Sequence, residues 1–394
     1  MDFGLPAHEE DYLYIDRADD LHAFVEALRG SPWIAFDTEF IREKSYYPRL
    51  CLIQVGAPGQ LACVDPIAVT DLSPLYELLF DPSILKVLHA CSQDLEIFAH
   101  LCNQVPGPIF DTQLAAPLLG LPEQMGYAAF VMHMSGVALD KAQARTDWSR
   151  RPLGQAQLRY AVDDVRYLVE IYPVMVEQLR ELGRLGWLEA EFEPYQQLDR
   201  YRPDPSRAWQ RIRGADRLRP KALSILQLLA RWREETAQNK DLPRNWVIKD
   251  DVLIDIARMA PDGHDALSKL RGLPAKTAQR YGDTLLTMVR EGAQREPDRL
   301  PLHKRRSKPT AQEEALADIL QAILRLLAEQ SHLNSNMIAN RGELLRLAQG
   351  SDDLSMLRGW RGEIAGRELL AVCKGHRSIQ VLDGKVRISP AADA

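Results

Sequence analysis

The sequence predicts a mixed α/β domain followed by two small all-α modules. Three observations carry this reading. Through the N-terminal part, short apolar runs of strand length alternate with segments of helical period. Beyond residue 205 the pattern becomes almost entirely helical. Within that helical part, three sequence features recur in the same order.

SPWIAFDTEF predicts a strand. Residues 50–56 (LCLIQVG) and 61–65 (LACVD) predict two more, separated by a Pro58-Gly59 turn. Residues 72–80 read as a helix, 84–89 as a short strand and 92–101 as the next helix. PGPIFDTQLAAPLLG supplies a further short strand and helix. Residues 155–182 form the longest helical segment, in which Leu158, Val162, Val165, Val169 and Tyr172 recur at helical spacing. The Pro-, Asp- and Arg-rich stretch 194–205 predicts a linker. A second, basic linker (PLHKRRSKPT, 301–310) is expected to be flexible. Between and beyond the linkers, LSKLRGL (267–273) is echoed by LSMLRGW (354–360), and VIKDDVLIDIA (247–257) by IANRGELLRLA (338–348). Arg280 and Arg367 then follow the two LRG elements at the same distance. In each copy the Gly after Leu-Arg suits a helix end or a tight turn. The expected units are residues 1–198, 206–292 and 311–385.

Length and composition narrow the classes. A chain of 394 residues holds two or three domains with their own cores. The five cysteines show neither zinc spacing nor a disulfide framework. MDFGLPAHEE lacks the pattern of a secretory leader, and no run reaches the length of a membrane span. A reduced cytoplasmic setting, away from membranes, is expected. The overall charge of −6 hides an asymmetry. Residues 1–199 carry 14 Lys+Arg against 30 Asp+Glu, residues 200–310 carry 25 against 14, and the rest are nearly neutral. An acidic block suits bound divalent cations, and a basic one suits phosphates. No GxxxxGK[ST] loop is present, which excludes a helicase motor within this chain. No heptad pattern points to a coiled coil, and a monomer is expected.

The chemistry starts at WIAFDTEF. Alternate residues of a strand share a face, so Asp37 and Glu39 point the same way, with Thr38 opposite. Two unpaired acids that close repel each other, and a hard divalent cation such as Mg²⁺ or Mn²⁺ removes that penalty. Asp94, in CSQDLEIF, opens a helix at the end of a strand, a usual place for active residues in α/β sheets. In YAVDD, Asp164 lies four residues after Tyr160 and Asp163 three, so spacing alone admits either aspartate.

D-x-E, then a helical aspartate, then Y-x-x-x-D resembles the DEDD exonucleases, in their tyrosine variant. FDTEF, SYYPRLCLIQV, HACSQDLEIF, DTQLAA and DWSRRPLGQAQLRYAVDDVRYL resemble more closely the bacterial ribonuclease D family. The helical repeat resembles two HRDC domains, and the likeness spans roughly residues 12 to 370. The resemblance implies a ribonuclease H-like α/β exonuclease domain, a mixed sheet with flanking helices, followed by two small all-α HRDC-like domains. It implies Asp37, Glu39, Asp94 and Asp164 as ligands of two divalent cations, Mg²⁺ or Mn²⁺, and favours Asp164 over Asp163. Tyr160 would orient the attacking water. The implied reaction is 3′-5′ exoribonucleolytic release of nucleoside 5′-monophosphates, most naturally from tRNA precursors with 3′ extensions. A single-strand DNA exonuclease and a non-catalytic RNA-binding adaptor are the alternatives. Arg42, Lys44, Tyr46 and Tyr47 are candidate contacts to the entering strand, as are Trp148, Arg150 and Arg151. Arg211, Arg213, Arg217, Arg219 and Lys221 are candidate contacts to the RNA backbone.

Overall fold

The computed structural model describes residues 12–140, 142–143, 146–298 and 308–391. The N-terminal MDFGLPAHEE and residues 301–307 of the basic linker lie outside them. Two elements precede the first expected strand, β1 (Leu13–Ile15) and α1 (Ala18–Leu28). Helix α1 buries Leu21, Phe24, Val25 and Leu28, a helical stripe set in a polar segment. β2 (Trp33–Ile41), β3 (Arg49–Ala57) and β4 (Gln60–Val64) then form an antiparallel meander. After α2 (Ser73–Phe80), β5 (Leu85–Leu88) leads into α3 (Ser92–Cys102), and β6 (Ile109–Asp111) into α4 (Thr112–Ala115). The sheet order is β1-β4-β3-β2-β5-β6, with β5 parallel to both β2 and β6. The D-x-E strand therefore runs through the middle of a mixed sheet.

Helices α5 (Tyr127–Ser135) and α6 (Gln155–Glu181) complete this unit. Of the expected stripe on α6, Leu158, Val162 and Val165 are buried, and Val169 and Tyr172 are half-buried. A Cβ on Gly56 of β3 would lie 3.0 Å from Val169 Cγ2, so the absence of a side chain there lets α6 pack closely on the sheet.

The stretch expected as a linker is built. α7 (Leu188–Phe192) leads into it, and the 3₁₀ turns Glu193–Gln196 and Leu198–Tyr201 run through it. Tyr201 donates its hydroxyl to the Tyr195 carbonyl at 2.8 Å, and the Arg200 guanidinium lies 3.9 Å over the Tyr195 ring. The first helical module contains α8 (Pro220–Asn239), α9 (Arg244–Val247), α10 (Asp250–Met259), α11 (His264–Ser268) and α12 (Ala275–Gln294). The second repeats the order with α13 (Ala311–Gln330), α14 (Ser335–Ile338) and α15 (Arg341–Ala348). It continues through α16 (Gly359–Arg361), a π-helical turn and α17 (Arg367–Cys373). The glycines of the two LRG elements, Gly272 and Gly359, both have positive φ, as the tight-turn reading requires. The expectation of an almost wholly helical C-terminal part needs one correction. β7 (Arg377–Leu382) and β8 (Lys385–Pro390) form a hairpin. Asp383 and Gly384 both have positive φ, the two-residue turn chemistry that closes antiparallel strands.

The two modules attach differently. The second shares one continuous apolar core with the α/β unit. There Trp187 stacks on Trp360 with centroids 5.0 Å apart, and Glu191 accepts from Trp360 Nε1 at 3.0 Å and from the Arg361 guanidinium. The first module has its own core, which Tyr46 from the β2–β3 loop of the α/β unit enters and Tyr47 packs against. The Tyr46 hydroxyl donates to Glu234 Oε1 at 2.5 Å and accepts from Arg244 at 2.8 Å. Asp241 accepts from the backbone N–H groups of Tyr46 and Tyr47, both at 2.9 Å. Tyr46→Ala is expected to destabilise this junction by about 3 kcal/mol, as loss of a buried aromatic ring does. Tyr46→Phe, which keeps the ring, should cost about 1 kcal/mol. Urea unfolding of both variants measures the difference.

Candidate active site

Asp37 and Glu39 lie where β2 outruns its neighbour. β2 pairs with β5 only from Trp33 to Ala35, so the following residues border an open crevice at the C-terminal ends of two parallel strands. On the other side Asp37 stands opposite Gln54 and Glu39 opposite Leu52. The next pair is Phe40 with Leu50, which leaves Cys51 as a bulge. Arg151 takes up the Cys51 carbonyl through Nη2 at 2.6 Å. The same guanidinium grips buried Asp65 through Nε at 2.5 Å and Nη2 at 2.7 Å. Arg151 thus holds the bulge beside the acids.

Thr38 faces the opposite side of the sheet, toward α3. Phe36, on the same face, meets Phe98 of α3 edge-on at 5.7 Å. The Thr38 hydroxyl donates to Asp94 Oδ1 in the first turn of that helix. The turn into α3 depends on Asp111 of β6. Its carboxylate accepts from Ala90 N at 3.0 Å and Cys91 N at 2.9 Å, with Ala90 at positive φ. Asp94 therefore enters the crevice from the α3 side. Asp164 and Tyr160 enter from α6, on the other face.

Two neighbours separate Asp163 from Asp164. The Asp163 carboxylate pairs with Arg166 at 3.0 Å, and its carbonyl accepts from the Tyr127 hydroxyl at 2.8 Å. Trp148 is buried with its ring 6.1 Å from that of Tyr160, which it backs. A cavity of about 630 Å³ opens at this point, lined by Tyr127, Arg159, Tyr160, Asp163 and Asp164 among others.

The electrostatics record how closely the four acids are gathered. Burial, then Asp94, Asp164 and Glu39, holds the Asp37 carboxyl far above the usual carboxylate range. Burial, with Asp164 and Asp94, pushes Glu39 up to about 9. Burial, with Asp163 and Asp94, pushes Asp164 up to about 8. Burial raises Asp94 to about 7 against the Thr38 hydrogen bond. Burial and the same acids raise the Tyr160 phenol, which stays protonated at neutral pH. Among the described residues no three His, Cys, Asp or Glu side chains converge as a finished metal cage. The donor set is nevertheless one that a hard divalent cation fits: oxygen ligands only, whose mutual repulsion such an ion would neutralise.

Comparison with known proteins agrees with this geometry. A family model for 3′-5′ exonucleases matches residues 12–180, and an HRDC domain model matches 222–289. Ribonuclease D of Sphingobium indicum is 40% identical over 374 residues, covering 94% of this chain and 96% of the relative. That of Granulibacter bethesdensis is 37% identical over 375 residues, covering 94% of each chain. The chain belongs to the ribonuclease D family. The crystal structure of Escherichia coli RNase D, described as an exoribonuclease involved in structured RNA processing, superposes with a TM-score of 0.79 at 34% identity, covering 92% of this chain and 98% of that one. The α/β unit is the family's 3′-5′ exonuclease domain, the chain is a 3′-5′ exoribonuclease, and the first helical module carries an HRDC domain. DEDD exonucleases generally use divalent metal ions. No helix of the described residues is long and apolar enough to cross a membrane.

The expected RNA contacts of this ribonuclease D-family chain fall into two groups. Arg211, Arg213, Arg217, Arg219 and Lys221 are all exposed. Around the β2–β3 loop the expectation needs correction. Tyr46 is only 4% exposed, and its hydroxyl serves the first module rather than an entering base. Tyr47 stacks on His100 at 3.6 Å. Arg42 bonds to Glu96 and to the Tyr46 carbonyl, both at 2.9 Å, while Lys44 is exposed. Trp148 and Arg151 are structural, and Arg150 pairs with Asp147 on the surface. The sequence reading missed Asp111, whose partners Ala90 and Cys91 precede it by 21 and 20 residues.

A carboxyl group whose folded pKa lies above its unfolded value binds more protons folded than unfolded, so its contribution to stability is lost as pH rises through the folded value. In the presence of a chelator, the site's contribution should therefore fall from about pH 4, the unfolded range, to about pH 9, where Glu39 ionises. Thermal melting against pH measures this. Glu39→Gln should reduce the fall, most visibly above pH 8, where Asp164 has already ionised.

Proposed function

We propose that Asp37, Glu39, Asp94 and Asp164 hold two divalent cations, Mg²⁺ or Mn²⁺, at which RNA is shortened from its 3′ end to nucleoside 5′-monophosphates. One observation carries this reading: at a crevice where a tyrosine and an open cavity also meet, burial and then the neighbouring Asp94 and Asp164 hold Asp37 and Glu39 above the usual carboxylate range. When bound, such ions acidify a water and stabilise charge on the leaving oxygen. Asp37, which feels all three other acids, would hold the ions together with Glu39, Asp94 and Asp164. Asp164 is preferred to Asp163 because Asp163 is committed to Arg166. Tyr160 acts as a neutral hydrogen-bonding group that orients the water, since its phenol holds its proton.

The substrate we propose is a tRNA precursor with a 3′ extension. The E. coli relative's part in structured RNA processing supports this. So does a groove of about 650 Å³ between the exonuclease domain and the first module. Its lining includes Ser92, the first residue of the Asp94 helix, together with Arg200, Arg202, Arg207 and Arg211. These guanidinium groups suit phosphates, and the exposed Arg213, Arg217, Arg219 and Lys221 extend the basic face. The second module is a further HRDC-like unit that positions rather than grips RNA, a reading supported by its repeated element order and its shared core. The free state of all five cysteines supports a reduced, cytoplasmic setting.

Asp37→Asn should lower mononucleotide release by about 100-fold or more, since several kcal/mol of transition-state stabilisation would rest on the ions. Tyr160→Phe should lower turnover by about 10- to 100-fold and leave Mn²⁺ affinity unchanged. Both are assayed on a tRNA precursor with a 3′ trailer, beside matched single-stranded DNA. Near-native release by Asp37→Asn would contradict the metal assignment. Arg207→Glu and Arg211→Glu should each weaken RNA binding across sequences and lower the salt slope by about 1.

A further inference from the structure

Gln54 is the most anomalous polar residue near the site. It is fully buried on β3, and neither Oε1 nor Nε2 has a hydrogen-bond partner among the described residues. Burying an amide without partners is unfavourable, and native structures satisfy such groups almost always. Its surroundings explain the lack. Gly56, two residues along the same strand, lies beneath Val165 and Val169 of α6, so Gln54 also faces that helix. Apart from Arg166, the residues α6 buries, including Ala161, Val162 and Val165, are apolar. Opposite Gln54 on β4 is Cys63, whose thiol is directed to the Leu158 carbonyl at 3.9 Å.

On its other side Gln54 stands in register with Asp37. Directly opposed residues of an antiparallel pair share a face, with Cβ atoms about 5 Å apart. That distance lets a glutamine amide reach an aspartate carboxylate by side-chain rotation alone. An amide N–H is also the group that suits the outer oxygen of a metal-ligating carboxylate, since such ligands are oriented by hydrogen-bond donors behind them.

We propose that Gln54 is a positioning residue whose Nε2–H donates to the Asp37 carboxylate in the cation-loaded state and so fixes that carboxylate toward the ions. This rests on the reading of Asp37 as a metal ligand. It explains why an unpartnered amide is buried under α6 beside Asp37. Its burial is unrewarded until Asp37 is held as an anion.

The test uses the full chain and Mn²⁺ alone, with affinity read by electron paramagnetic resonance and stability by thermal melting. Gln54→Met and Gln54→Leu remove the amide with little change of volume. Without metal, both should melt at or above the native protein, because an unpartnered polar group is gone. Their Mn²⁺ affinity should fall about tenfold or more, and added Mn²⁺ should raise their melting temperature less than it does for the native protein. In an Asp37→Asn background, Gln54→Met should change Mn²⁺ affinity no further, as expected of a residue acting through Asp37. Native Mn²⁺ affinity and turnover in Gln54→Met would overturn the proposal while leaving the ligand assignment intact. So would melting of both variants below the native protein without metal, which would mark Gln54 as purely structural. Native affinity in Asp37→Asn itself would overturn the ligand assignment and this proposal with it.

Discussion

The repulsion among four carboxylates gathered in one desolvated crevice is the constraint around which this exonuclease domain is built. Each acid alone would ionise readily in water. In the crevice, burial first and then neighbouring acids hold Asp37, Glu39 and Asp164 above the usual carboxylate range, so a chain without restraint would splay them apart. The fold opposes this with rigid elements that have no other freedom. β2 is fixed between β3 and β5, α3 is locked by Asp111 under its entry turn, and α6 lies tight on Gly56. The bulge at Cys51 is tied to Asp65 through Arg151. The four acids come from three elements, and each element is held by residues that are not themselves acids of the site.

The helical modules extend the same logic outward. The loop that follows the D-x-E strand carries Tyr46, buried in the first module's core and bonded to Glu234 and Arg244. The strand bearing two of the acids is thereby joined within a few residues to the HRDC domain. The seam between them carries the arginine-lined groove, which also touches the start of the Asp94 helix. The second module is joined through apolar and aromatic surface, with Trp187 against Trp360. Its nearly neutral charge agrees with a joint made by packing rather than by phosphate attraction.

Much of the fold was legible because it rests on local periodicity. The strands and helices expected between residues 31 and 182 were found within a residue or two of their bounds, since a period of 2 or 3.6 is a property of neighbouring residues. The C-terminal hairpin was missed although Asp383-Gly384 is a recognisable turn, because the helical repeat dominated the reading around it. Tyr46 was misread for a different reason. A tyrosine in a polar loop after a strand looks exposed, and the residues that bury it lie 188 and 198 positions further along the chain.

By itself, the sequence determined that Asp37 and Glu39 share a face, that Tyr160 and Asp164 share another, and that a metal-dependent exonuclease resemblance covers most of the chain. Those statements depend on spacing along one element or on ordered motifs. Only the tertiary structure decided that Asp94 reaches the crevice from the opposite side of the sheet, held by Thr38. It alone tied Asp163 to Arg166 and set an unpartnered Gln54 beside Asp37. Register, burial and pairing between distant segments are properties of how elements pack, and no local pattern of residues encodes them.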